Sequence, residues 1–333
     1  MPLPRLTRRG FLGLAAAGTA GSLVSCGDDE TPSPSTPDGS ESIEPVTLRN
    51  CVYAQNHASA PLFWQQFAPE GITIDTAIVT SSAEIQTALE GGSLDFGLIG
   101  SYSTTIAQLE GGFNSKIIGM CARQGIGLIG ATDAVTTVAD LAGRRIAVPP
   151  PGIQVLILQA LLQDAGLTLD SDVEGVPLGY ADHPGALERG DVDAFIGTEP
   201  LCTRSVVDGI GQRIDGVFDT PLGDFNTAIW ASPRMLEQPD LCRAAALMQK
   251  QAAEYLTPDG ENDPAVWQDL LVTQFGYEEA IYEAVLTNIG AEWRFDSIRE
   301  SQLAGAGELM AQLGIVAEEP DYEAFYAREY WDV

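Results

Sequence analysis

Apolar and polar positions along this chain fall into two alternating rhythms. VTLRNCVYA, residues 46–54, carries β-branched side chains in rough alternation and predicts a strand. SAPLFWQQFAPE predicts a short helix ended by Pro69 and Gly71, and ITIDTAIVT, residues 72–80, a second strand. SSAEIQTALEGG then has the spacing of an amphipathic helix: Ser81 caps it, Glu84 completes a capping box, and Gly91-Gly92 stop it. LDFGLIG predicts a third strand, SYSTTIAQLEGG a helix from Ser101, and KIIGMCA a fourth strand. The alternation restarts after residue 140. RRIAVPP, VEGVPLG and VDAFIGTEP predict strands, separated by the long apolar helix GIQVLILQALLQDAGL and the short turn HPGALERG. FNTAIWAS, residues 225–232, predicts a late strand, and from Pro239 the pattern is mainly helical.

Repeated β-α units of this length predict sheets covered by helices, in an α/β chain of two lobes with a helical C-terminal tract. The expected divisions are lobe 1 over 46–130, lobe 2 over 131–224, and a return strand with helices over 225–333 that completes lobe 1. The two connections are expected near Leu128–Ala131 and Asp224–Ala231.

Charge sharpens this picture. The chain of 333 residues carries 47 acidic and 17 basic groups, and all the acidic ones follow Cys26. Such a surface repels nucleic acid and anionic lipid. Two lysines against fifteen arginines, on so acidic a surface, fit a saline habitat in which long-range repulsion is screened. A GC-rich genome in an acidic lineage is the other reading of the same composition.

The first 25 residues read as a targeting peptide, with a basic start and the weakly apolar FLGLAAAGTAGSLV. TRRGFLG resembles a twin-arginine export signal, and LVSC resembles a lipoprotein processing box. On that resemblance Cys26 becomes the lipidated first residue, and residues 26–45, rich in Pro, Ser, Thr and Asp, form a polar tether. The protein is then expected outside the cytoplasm, anchored to the outer face of the cell membrane. Cleavage near Ser25 of a freely secreted protein is the alternative. Outside the cytoplasm the even set Cys51, Cys121, Cys202 and Cys242 allows two disulfides, and the pairings Cys51–Cys121 and Cys202–Cys242 are expected. No cysteine spacing suits zinc, and the two histidines, His57 and His183, are far apart, so neither metal nor cofactor is expected.

Three segments, EIQTALEGGSLDFGLIG, DLAGRRIAVPPPGIQVLILQALLQDAGL and ALERGDVDAFIGTEP, taken in this order, resemble the substrate-binding proteins of bacterial ABC importers. The branch they resemble binds nitrate, taurine and alkanesulfonates, and the likeness runs over residues 46–316. It implies a periplasmic binding protein fold of type 2, a monomer that closes by a hinge on a small solute. It also implies delivery to a membrane permease driven by an ATPase subunit. An organic sulfonate, taurine or a nitrate-like anion is the implied ligand. One departure stands out: the branch often has an aromatic residue before the Glu-Pro pair, where this chain has Gly197 and Thr198 ahead of Glu199 and Pro200.

Open α/β sheets bind ligands beyond the carboxyl ends of their strands. That places Asn56 and His57 after the first strand, Ser81 and Ser82 after the second, Ser101 and Tyr102 after the third, and Pro151, Gly152 and Gln154 in lobe 2. Glu199, Asp224 and Asn226 are added from the two later strands, and Tyr180 as a wall for an organic group. Helix N-termini after these loops favour an anion, yet no basic residue stands in them, and Arg123 is the nearest. Failing a cation, a neutral or amine-bearing heterocycle such as a pyrimidine vitamin precursor is the alternative. The bland readings are that Ser81, Ser101 and Ser103 cap helices, that Gly152 makes a tight turn and that Glu199 holds its own backbone. His57 is expected to be a loop residue whose removal weakens ligand about tenfold with the melting temperature nearly unchanged.

Enzyme readings find little. There is no G-x-S-x-G elbow, no H-E-x-x-H, no Walker loop and no dinucleotide fingerprint. An exported hydrolase, an adhesive lipoprotein and an enzyme of thiamine-precursor synthesis remain as weaker alternatives.

Overall fold

The computed structural model describes residues 45–333. The expected export signal with Arg8 and Arg9, the lipidated Cys26 and the tether through Glu44 lie outside these residues. Among the described residues no helix is long and apolar enough to cross a membrane.

The chain opens with β1 (Val46–Tyr53), a 3-10 turn, the short α1 (Trp64–Phe67), β2 (Ile72–Val79), α2 (Ser82–Glu90), β3 (Phe96–Gly100), α3 (Ser101–Glu110) and β4 (Lys116–Gln124). Beyond Gly125 follow β5 (Ile126–Ala131), β6 (Arg145–Val148), α4 (Ile153–Asp164), β7 (Glu174–Pro177), α5 (His183–Glu188), β8 (Ala194–Thr198), α6 (Leu201–Val207) and β9 (Gly211–Ile214). The return strand β10 (Phe225–Ala231) leads to α7 (Pro233–Leu236), α8 (Pro239–Leu256), α9 (Pro264–Gln268) and a π-helical turn over Asp269–Gln274. Then come α10 (Glu279–Val285), β11 (Ile289–Ala291) and α11 (Ser297–Gln312).

Two sheets define the lobes. In the first, β11-β4-β10-β3 are hydrogen-bonded in that order, and the parallel pair β1-β2 joins beside β3. Asp95 makes that join: its amide donates to the Arg49 carbonyl at 2.8 Å, and its buried carboxylate accepts from the Arg49 amide and guanidinium and from Arg234. Burial works to raise the Asp95 pKa, but the bonds from Arg49 and Arg234 outweigh it and hold the group below its usual range. In the second sheet the order is β7-β6-β8-β5-β9. The strand that arrives from the other lobe runs antiparallel in each sheet, β10 against β3 and β4, and β5 against β8 and β9.

This topology moves the lobe boundary from the expected residue 130. β5 pairs in the second sheet, so the crossing falls at Gln124–Gly125, where both residues have positive φ. The helical tract also serves both lobes instead of completing lobe 1 alone. α8 packs on lobe 1, where its buried Gln249 accepts from Trp64 and donates to the Met120 and Glu292 carbonyls. α10 packs against α6 of lobe 2, and α11 packs on both α3 and α4. Ala306, Leu309 and Met310 of α11 share one core with Leu156, Ile157 and Leu158 of α4.

The expected disulfides are absent: Cys51, Cys121, Cys202 and Cys242 are all free and buried. The lobes explain the second pair, since Cys202 lies against Gly127 of lobe 2 while Cys242 bonds the Met235 carbonyl in lobe 1. Cys51 and Cys121 sit on β1 and β4, which are not neighbours in the sheet. Burial pushes the thiols of Cys51, Cys121 and Cys242 up to about 12 and raises that of Cys202 well above its usual value, so little thiolate forms. In a thiol titration at pH 8 none of the four reacts in the folded protein and all four react after denaturation. Fast labelling of any of them in the native state would contradict this burial.

Candidate solute-binding cleft

The strand ends expected to bind ligand converge where the lobes meet. Asn56, in the loop after β1, spans the gap: its Nδ2 donates to Thr198 Oγ1 of lobe 2 at 3.3 Å, while its Oδ1 accepts from the Ala58 amide at 2.8 Å. The second crossing bond runs from Asn288 Nδ2 to Thr203 Oγ1 at 3.2 Å. Between them lies the hinge, where the Gly125 carbonyl accepts from both Glu199 N and Thr198 Oγ1.

His57 is not the exposed loop residue the sequence suggests. It is 1% exposed, and its ring occupies the space beside Gly125, where a built Cβ would lie 1.9 Å from Cε1. No side chain larger than hydrogen fits there with His57 in place. Neither ring nitrogen makes a hydrogen bond of good geometry, and the Glu199 backbone is the polar group beside the ring. Burial drives the imidazole pKa down to about 4, with the Glu199 backbone offsetting only part of this, so the ring is neutral near pH 7.

The acidic candidates are already engaged. The Glu199 carboxylate is buried, pairs with Arg213 and accepts from the Thr203 amide at 2.9 Å. Asp224 pairs with Arg299 and accepts from Gln302 Nε2 at 3.1 Å. Its carboxyl is raised by burial and lowered more by Arg299 and Gln302, with a net shift below the usual range. Both carboxylates therefore have partners within the protein. Asn226 donates to the Gln124 carbonyl at 2.7 Å and so braces the hinge from β10. Arg123 gives its Nη2 to the Gly260 carbonyl at 3.0 Å and lines a recess of about 600 Å³ with Glu254, Thr257 and Trp293.

The hydroxyl candidates divide. Ser81 caps α2 through the Glu84 amide at 3.2 Å, whereas Ser82 bonds the Tyr53 hydroxyl at 2.9 Å. Ser101 does not cap α3, whose N-cap is Gly100; its Oγ is buried without a partner. Buried polar atoms in this state point to a water or ligand site. Tyr102 packs its ring on the lobe 2 core beside Ile106 and Leu109 and so joins the lobes more than it lines a cavity. In lobe 2, Gly152 has φ −179°, ordinary extended backbone instead of the expected tight turn, and Pro151 is exposed. Gln154 accepts from the Tyr180 hydroxyl at 3.0 Å.

Sequence reasoning missed Tyr53, Gly125 and Arg213, and marked Thr198 only as the small residue ahead of Glu199. Tyr53 and Thr198 each end a strand that leads into a candidate loop, which was the available signal. Gly125 and Arg213 gave none, because their partners His57 and Glu199 are remote in sequence. No group of three or more His, Cys, Asp or Glu side chains suited to a metal occurs among the described residues.

Two α/β lobes, each entered by an antiparallel strand from the other, define a periplasmic binding protein fold. The chain belongs to the NMT1-like family, whose model matches residues 64–266, more than half of its length. The periplasmic aliphatic sulphonate binding protein SsuA from Escherichia coli is similar at 18% identity and TM-score 0.69, over 85% of this chain and 92% of that one. The periplasmic nitrate-binding protein NrtA from Synechocystis PCC 6803 is similar at 14% identity and TM-score 0.62, over 81% and 82%. The fold also occurs in an enzyme, the desulfurization enzyme DSZB, at 16% identity and TM-score 0.63, over 86% and 97%. No curated protein matches the chain.

Proposed function

We propose that this protein captures a small solute outside the cytoplasm and delivers it to the permease of an ABC importer, without catalysing a reaction. The carrying observation is the pair of buried, unpartnered polar side chains His57 and Ser101, each following a lobe 1 strand at the interlobe face. A ligand or water held there satisfies them, and closure of lobe 2 over the hinge encloses it. The twin-arginine motif and Cys26 support export and lipid anchoring, and the acidic, lysine-poor surface supports a saline setting. An organic sulfonate or nitrate-like anion is the first substrate reading, supported by the likeness to SsuA and NrtA and by the amino ends of α3 and α4.

A neutral solute is the second reading, and one observation favours it: Arg213 and Arg299 are paired with Glu199 and Asp224. The test is a thermal-shift panel in high salt with nitrate, taurine, short alkanesulfonates, aromatic acids, pyrimidines and riboflavin. A folded-state ligand at a hundredfold excess over its dissociation constant stabilises by about 2.7 kcal/mol. A shift confined to one class supports capture and names that class. Turnover of any member to a product would replace the importer reading with an enzyme.

A further inference from the structure

The recess of about 600 Å³ opens where the last turn of α8, the turn Thr257–Gly260 and the short edge strand β11 meet. Small residues keep it open: Ala253 and Ala291 line it and are buried. Thr257 Oγ1 holds the turn against the strand, donating to Asn262 Oδ1 at 2.8 Å and accepting from the Ala291 amide at 3.2 Å. Arg123 enters from β4 by crossing β11. Its register partner there is Gly290, where a built Cβ would lie 2.9 Å from Nε and 3.1 Å from Cζ, so glycine leaves the guanidinium its path. Nη2 then donates to the Gly260 carbonyl at 3.0 Å, which fixes the group at the wall of the recess.

The charges of this recess do not neutralise one another. Among the described residues Arg123 forms no ion pair, and its bond to Gly260 goes to a neutral carbonyl. Glu254 and Asp259 line the same recess, are exposed, and form neither an ion pair nor a side-chain hydrogen bond among the described residues. The third carboxylate is committed: Glu292 accepts from the amides of Trp293 at 2.8 Å and Arg294 at 3.0 Å and lies 3.9 Å from Arg299. The indole of Trp293 is committed as well, with the Arg294 guanidinium 4.5 Å and the Lys250 ammonium 4.7 Å from its ring centroid. One guanidinium with N–H groups left to donate and two carboxylates therefore share a concave surface without pairing. A molecule carrying both charges satisfies all three.

We propose that this recess is a second binding site, taking a small zwitterion of the amino acid class, with its carboxylate on Arg123 and its ammonium on Glu254 and Asp259. An ammonium brings N–H donors to those carboxylates, whereas a quaternary amine brings none and would need the ring of Trp293, which already has its cations. The methyl groups of Ala253 and Ala291 offer an apolar floor to an aliphatic side chain. None of the strand-end candidates of the interlobe cleft lines the recess, so this site does not depend on what the cleft captures.

The test titrates three compounds calorimetrically, to millimolar concentration, into the purified full chain: L-leucine, N-acetyl-L-leucine, which lacks the ammonium, and L-leucinamide, which lacks the carboxylate. Leucine binds about tenfold more tightly than either analogue, the scale of one lost charge-assisted hydrogen bond. Arg123→Met weakens leucine about tenfold and leaves leucinamide within about twofold, because leucinamide has no carboxylate to lose. Glu254→Gln combined with Asp259→Asn weakens leucine by a similar factor and leaves N-acetyl-leucine within about twofold. The acidic pair is exposed, so that variant decides if Arg123→Met does not fold. Silence of leucine overturns the site, as does binding of either analogue as tightly as leucine. Leucine affinity unchanged in both variants places the amino acid elsewhere and overturns it too.

Discussion

Arg213→Met lowers the melting temperature by about 4–5 °C, the equivalent of about 3 kcal/mol in a chain of this size. The Glu199 side chain has no exposure in the folded protein, and Arg213, itself 25% exposed, is its ionic partner. Removing the guanidinium leaves the carboxylate with only the Thr203 amide, and a buried charge without a counterion costs far more than the pair contributes. The damage is local to the cleft. Arg213 also donates to Thr203 Oγ1 at 3.1 Å, and that hydroxyl takes the crossing bond from Asn288. Glu199→Gln placed on top of Arg213→Met removes the stranded charge and restores more than half of the loss. Differential scanning calorimetry of both variants decides, and an unchanged melting temperature in Arg213→Met would show that solvent already screens Glu199.

The sequence reveals the α/β architecture because its signals are local. The Ser81 and Glu84 pair marks the start of α2, and the structure keeps the Ser81 half of the box while Glu84 turns to the Thr80 amide at 2.9 Å. The apolar run from Ile153 makes α4 legible, and its burial on several sides follows from that run. β5 and β9 were missed for the opposite reason. IGLIGA has two glycines, Gly127 and Gly130, among six residues and no turn residues in a hairpin arrangement, and it becomes a strand only between β8 and β9, which come much later in the chain. The cleft is legible by position and not by occupancy. Glu199 and Asp224 look like free carboxylates until Arg213 and Arg299 are folded against them. The even number of buried cysteines has the look of a disulfide set, but Cys202 and Cys242 belong to opposite lobes.

His57→Ala costs about 2–4 kcal/mol of stability, since it empties a buried, ring-sized site against Gly125. This replaces the expectation of an unchanged melting temperature, which assumed an exposed side chain. A second measurement separates packing from proton linkage. The buried ring titrates near 4, against 6.5 for an ordinary histidine, so the unfolded chain binds more protons between those values. Stability from the neutral ring is complete above pH 6.5, falls as pH drops toward 4, and is constant below, with a total of about 3 kcal/mol. His183 is also lowered by burial and adds a smaller loss in the same direction. His57→Gln removes the first contribution while filling most of the space, so the melting temperature of this variant declines less steeply than that of the wild type between pH 6.5 and 5. Parallel decline in the two proteins would show that His57 keeps its ordinary pKa and is reached by water at the hinge.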